Sequence, residues 1–173
     1  MKLWIDGKEG TPGASIRATV AGQVTDINRQ VISRGVRAVN AMRSAELKVL
    51  QGQRNGRVYK VPGTYGKTAS KATRKLKAEY GHKLRGGQLY RASRPGEAPA
   101  RRTGNLRMHW NGQVRTESAA GGGVAVIAEL TSQEDYAAVL ENGSARVAPR
   151  PFVEQIKEKA RPEIEKIYGE PYR

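Results

Sequence analysis

The sequence predicts an α+β fold: a long N-terminal helix and a C-terminal helix packed on one face of a small, mainly antiparallel sheet, with a basic hairpin arm projecting from it. Three observations predict this. Apolar residues recur every three to four positions near both ends of the chain, the pattern of amphipathic helices. Short apolar runs separated by turn residues fill the middle, as strands do. Finally, fifteen of the 31 Lys and Arg residues fall in residues 51–107, against only Glu79 and Glu97. A segment so charged resists burial in a core. At 173 residues, one domain covering the whole chain is expected.

Thr11 followed by Pro12 reads as an N-cap with proline at the first helical position. Beyond it Ile16, Val20, Val24, Ile27, Val31, Ala38 and Met42 share one face. Arg17, Asp26, Arg29, Arg34 and Arg37 lie mostly off that face. The pattern predicts a helix over residues 14–50, roughly 50 Å long at the α-helical rise. Gly22 and Gly35 weaken it, and Gly35 is a place for a bend. One small domain does not need a helix of that length, so part of the stripe is expected to meet another chain. The alternative is a helix lying wholly on its own sheet.

Residues 52–56 end the helix. Residues 57–61 (RVYKV) and 88–92 (QLYRA) read as two short strands, each with a central Tyr. Between them, residues 63–87 are rich in Lys, Thr, Ser and Gly. A short helix fits residues 70–80, but Leu76 and Tyr80 are its only large apolar side chains. Residues 63–87 are therefore read as the exposed, mobile tip of a basic hairpin arm over 57–92. Residues 93–103 form a proline-punctuated connector. Leu106, Met108 and Trp110 alternate with polar residues and read as a strand. Residues 121–123 (GGG) make a turn, and residues 124–130 (VAVIAEL) form the most apolar strand, expected at the centre of the sheet across 93–148. Residues 136–141 fit either a short helix or a strand. Pro149, Arg150 and Pro151 impose an extended approach to a final helix over 151–168, marked by Phe152, Ile156, Ala160, Ile164 and Ile167. Pro162 is expected to kink or split it.

Composition excludes several function classes. The chain has no Cys, hence no disulfide framework, thiol nucleophile or thiolate metal site. No apolar run approaches the length of a membrane span, so no membrane partner is expected. His82 and His109 lack a nearby ligand cluster, so no metal is expected. Gly121–Gly123 is followed by Val and lacks the Lys-Ser/Thr pair of a phosphate loop. The acidic residues are scattered, and neither Ser93 nor Ser118 sits in a nucleophile elbow. No catalytic residue, cofactor or enzyme activity is expected.

The arm carries Lys67, Lys71, Arg74, Lys75, Lys77, Lys83 and Arg85. Three readings stand beside one another. The cations contact duplex phosphates without reading bases; they dock on an acidic protein surface; or they only solvate a loop. No signature of a known RNA-binding module is present.

Pro95, Gly96, Glu97, Ala98, Pro99 and Ala100, followed by Thr103, Gly104, Asn105 and Leu106, resemble a "PGEPPA…TGxL" segment. Tyr136 and Ala137 with Glu141, Asn142, Gly143 and Ser144 resemble "YAxxxExGT", and Arg150, Pro151 and Phe152 resemble an "RPF" opening the last helix. In this order the motifs resemble the tail-completion, or neck, proteins of long-tailed bacteriophages, described as minor tail or head–tail joining components. The resemblance covers residues 93–152. Ala98 stands where proline is usual and Ser144 where threonine is. Residues 63–87 are longer and more basic than the family pattern, so the arm's role does not carry over.

The resemblance implies a non-catalytic virion protein at the head–tail junction, made in the host bacterial cytoplasm. It implies a ring built from heterologous interfaces that close under rotation. A hexamer, matching a phage tail, is preferred over a dodecamer, matching a portal. The implied partners are further copies of the chain, the connector or stopper, the tail terminator or tail tube, and duplex DNA in the channel. The competing expectation is a basic DNA-binding protein.

Overall fold

Pro12 opens the first helix, α1 (Pro12–Gln51), of a computed structural model that describes residues 12–65, 67–80 and 87–172. Thr11, Lys83 and Arg85 lie outside these residues. Along the chain follow β1 (Val58–Lys60), α2 (Lys71–Tyr80), β2 (Leu89–Arg91), α3 (Asn105–Met108), β3 (Trp110–Ser118), β4 (Val124–Ser132), α4 (Ala137–Asn142) and α5 (Val153–Gly169). The expected α+β arrangement of two long helices with antiparallel strands is present.

The strands form two separate two-stranded ribbons rather than one sheet. β1 pairs with β2, and β3 pairs with β4 over nine residues each. β4, expected at a sheet centre, therefore has an open edge. Its alternation explains how this is tolerated. Val124, Val126, Ala128 and Leu130 are half-buried, with Gly112 and Val114 of β3 on the same face. The opposite face carries Gln113, bonded to Glu129 at 2.8 Å, and Arg115, paired with Glu129 at 3.3 Å. One dry and one wet face is the usual condition of an antiparallel ribbon.

α1 lies on the dry face, and two glycines let it come close. A Cβ on Gly35 would stand 2.5 Å from Val126 Cγ1, and one on Gly112 would stand 2.5 Å from Val39 Cγ1. Gly35 thus serves backbone approach, and α1 is continuous through it. α5 packs along α1 in the opposite direction. Ala45, Val49 and Leu50 of α1 meet Phe152, Ile156 and Ala160 of α5, with Ala98 and Leu106 closing the core. Phe152, 1% exposed, meets Trp110 edge-on at 6.2 Å. At the other end Arg37 clamps the Glu170 carboxylate with two bonds of 2.5 Å. Arg34 donates to the Tyr168 and Glu170 carbonyls and lies 3.8 Å over the Tyr172 ring.

Two sequence expectations give way to local chemistry. Leu106 and Met108 lie in the helical turn α3, and the strand begins only at Trp110. Gly104 at φ 103° redirects the chain so that Leu106 plugs the core while Met108 stays exposed. Pro162 does not split α5, which is one helix through Gly169. Glu158 and Pro162 are both exposed, so water can serve the carbonyl freed by the missing N–H.

The stretch 57–92 also differs from a loose hairpin tip. Ser70 Oγ accepts the Thr73 amide at 3.2 Å, capping α2. Thr73 is fully buried; its hydroxyl donates to Gln88 Oε1 at 2.7 Å and accepts the Leu89 amide at 3.0 Å. Gln88 Oε1 also accepts the Ser70 amide at 3.0 Å, and Thr64 Oγ1 accepts the Gln88 amide at 2.9 Å. This polar network fastens α2 to β2, alongside the buried Leu89 side chain.

Candidate interaction surfaces

The motif residues are distant in sequence but meet in space. The Gly96 amide donates to the Pro149 carbonyl at 3.1 Å. Arg150 Nη1 donates to the Ser93 carbonyl at 2.9 Å and to its hydroxyl. Glu97 accepts the Arg94 amide at 2.9 Å, and the Asn55 amide and side chain at 3.1 and 2.8 Å. Those three donors, the Arg94 amide first, hold the Glu97 carboxyl down at about 2. Glu141 Oε2 accepts the Phe152 and Val153 amides at 2.8 and 3.1 Å, so it caps α5 in place of an N-cap side chain. Gly96, Gly104 and Gly143 all take positive φ, and a Cβ on Gly143 would stand 3.0 Å from Val147 and Pro149. Leu106 and Phe152 are core; Pro99 is buried, whereas Pro95, Thr103 and Tyr136 are exposed. Pro151 is half-buried where the chain enters α5.

Basic residues separate into three groups. Arg34 and Arg54 are buried and satisfied by carbonyls. Arg54 donates to Val49 at 2.8 Å and Pro99 at 3.2 Å, tying the end of α1 to the connector. Burial lowers its pKa. Lys67 precedes α2, while Lys71, Arg74, Lys75 and Lys77 lie on it. All are exposed except Lys77, which is half-buried. Among the described residues none of these five pairs with a carboxylate; the ion pair at α2 is Glu79 with Arg91.

A third group was not anticipated as a unit. A groove of about 1260 Å³ opens between the β1–β2 ribbon and the connector of residues 92–107. Arg57, Arg94, Arg101, Arg102, Arg107 and Arg150 line it, and among the described residues no Asp or Glu does. Tyr59 and Tyr90 lie side by side along it, their ring centres 6.1 Å apart, and Tyr136 stands on its wall. Sequence reasoning marked residues 51–107 as basic but centred the charge on the lysine-rich stretch. The available signal was the second arginine cluster, Arg94, Arg101, Arg102 and Arg107, immediately after β2.

Glu46 was also missed. It is fully buried on α1, paired through one oxygen with Arg43, while Oε1 has no hydrogen-bond partner among the described residues. Burial raises its pKa to about 7, against the attraction of Arg43 and Arg107. Arg107 Nη1 is likewise buried without a partner. His109 bonds Glu134. Among the described residues no three His, Asp or Glu side chains converge as metal ligands. No described helix is long and apolar enough to cross a membrane.

Two surfaces stand out: an arginine-lined groove, and the apolar stripe of α1 beyond Arg34, where α5 ends. On that stripe Val20 and Ile27 are 52% and 42% exposed. The chain matches no family model, no curated protein and no solved structure.

Proposed function

We propose that this chain is a non-catalytic structural subunit of the head–tail junction of a long-tailed bacteriophage, working as a ring that joins the connector to the tail. The observation that carries the ring is the overrun of α1. Its apolar stripe continues through Val20, Val24, Ile27 and Val31, past the end of α5. Isolated apolar surface of this kind is best covered by another copy. The open edges of β3 and β4 offer a second contact of the same sort. The motif residues support the family reading by their role. Glu97, Glu141, Arg150 and the three positive-φ glycines lock a connector against the entrance of α5, which is work of shape rather than chemistry.

In this reading α2 and its ribbon serve as the basic arm, and Lys67, Lys71, Arg74, Lys75 and Lys77 meet a neighbouring ring, an adjacent subunit or DNA in the channel. The protein is made in the host cytoplasm and ends in the virion, as a hexamer in preference to a dodecamer. The unpaired cations on α2 favour one alternative, a DNA-binding protein that holds duplex phosphates without base readout.

Electron microscopy of the purified chain, alone and with connector and tail proteins, tests the proposal. Rings are expected, and Val20→Glu with Ile27→Glu should abolish them while leaving the helical signal intact. Removing residues 66–87 should leave the subunit folded and block joining of heads to tails. A chain that stays monomeric with its partners, and binds duplex with a steep salt dependence, would hand the case to the alternative.

A further inference from the structure

We infer that the arginine-lined groove seats an extended, carboxylate-rich peptide segment of a partner protein, which adds to the open edge of β1. This stands on the groove alone and does not depend on the head–tail reading.

Charge complementarity fixes the sign of the ligand. Six arginines line one cleft to which, among the described residues, no Asp or Glu contributes. Arg57, Arg101 and Arg102 are exposed and ion-pair with nothing among the described residues. A guanidinium is a planar fork that grips carboxylates with two bonds, where an ammonium offers a point charge. That the groove is lined by arginine, while α2 is mostly lysine, separates a recognition surface from a merely attractive one.

The backbone decides between a peptide and a nucleic acid. Tyr59 faces Tyr90 in the ribbon. Flanking bonds join the Ala92 amide to the Arg57 carbonyl and the Val61 amide to the Gln88 carbonyl, each 2.8 Å. Alternation along an antiparallel pair then directs the amides and carbonyls of Val58 and Lys60 to the outer edge of β1. No bond to them is made by another segment among the described residues. α2 covers β2, so this edge is the open one. Val58 and Tyr59 both line the groove. An added strand would use those main-chain groups, alternate side chains would reach the tyrosine pad, and acidic ones would reach the arginines. A nucleic acid strand has no run of alternating N–H and C=O groups with which to continue the ladder. Its bases would need ring faces to stack on, and Tyr59 and Tyr90 pack side by side instead. The volume also exceeds the usual small-ligand range of about 300–1,000 Å³.

Fluorescence anisotropy with a labelled peptide of alternating Glu and Val tests this on the full chain at about 0.15 M salt. The peptide should bind, and a Lys-Val peptide should not. Replacing Arg57, Arg101 and Arg102 together by Gln should weaken binding by about tenfold or more. Replacing Lys71, Arg74 and Lys75 by Gln removes the same charge and should change it by less than about twofold. N-methylation of alternate peptide bonds, on the face that would pair with β1, should weaken binding without altering peptide charge. Equal loss in the two triple variants, indifference to N-methylation, or displacement of the peptide by single-stranded oligo-dT at lower concentration than by unlabelled peptide would each overturn the assignment.

Discussion

Replacing Gly35 by Ala sets two well-characterised effects against each other. In an exposed helix Ala is favoured over Gly by about 1 kcal/mol. Here the added methyl would stand 2.5 Å from Val126 Cγ1 and 3.2 Å from Val114 Cγ1. Carbon atoms rest at about 3.5–4.0 Å, so the nearer contact is short by about 1 Å. Val126 is β-branched and stiff, and it sits in a strand paired along its full length, so it cannot swing aside. Overpacking of this kind costs about 1–3 kcal/mol. The clash should win, leaving Gly35→Ala less stable by up to ~2 kcal/mol. Urea denaturation of the parent, Gly35→Ala, Val126→Ala and the double variant closes the cycle. In the Val126→Ala background the obstructing methyls are gone, and Gly35→Ala should become neutral or stabilising. If Gly35→Ala stabilises the parent as much as it does the Val126→Ala protein, α1 does not press on β4 at this point and the packing argument is wrong.

Glu46→Gln should change how stability depends on pH. Burial raises the Glu46 pKa from 4.5 to about 7, so the folded chain holds a proton that the unfolded chain releases between those values. Stability should therefore fall as pH rises through that window, by up to ~3 kcal/mol, and the Gln variant should lose that slope in urea melts at pH 5 and 8. Glu97 acts in the opposite sense: with its pKa held at about 2, its stabilisation is present above 4.5 and fades as pH falls towards 2, and Glu97→Gln should remove that acid limb. Glu141→Ala strips the cap from α5 and should cost about 1–2 kcal/mol by thermal melting. Thr73→Val keeps the shape but breaks the bonds to Gln88 and Leu89; amide exchange of α2 should accelerate while that of α1 and α5 stays unchanged.

Both long helices were legible because period and length agree over many turns. Of the residues on the two stripes, Ala38, Ile156, Ala160 and Ile167 end up buried, while Val20 and Ile27 stay exposed. The two tyrosine-centred strands were legible for the same reason, and their pairing is local. What failed rested on short patterns. Three residues, Leu106, Met108 and Trp110, imitate a strand, but one left-handed glycine turns the chain within that span. The division into two ribbons is invisible because alternation gives each strand a wet and a dry face without naming its neighbours. Thr73 gave no apolar signal, yet its polar bonds help anchor α2. The groove was illegible because Arg57, Arg101 and Arg150 are far apart in sequence and meet through long-range contacts such as those of Gly96 and Arg150 with the Pro149 and Ser93 carbonyls.

The arginines themselves distinguish scaffold from binding surface, and that distinction can be measured. Arg34 and Arg54 are buried because the carbonyls at the ends of α5 and α1 accept their bonds, and replacing either should destabilise the fold. Arg57, Arg101 and Arg102 hold like charges in one cleft and gain no ion pair for it. Such an arrangement lowers stability through mutual repulsion, by a few tenths of a kcal/mol for each close exposed pair. A fold under selection for stability alone would disperse it. The variant with all three replaced by Gln should therefore melt at the same temperature as the parent or slightly higher, most visibly at low salt, where screening is weakest. A lower melting temperature would mean that the three guanidinium groups support the connector rather than wait for a ligand, and the groove would then be scaffold as well.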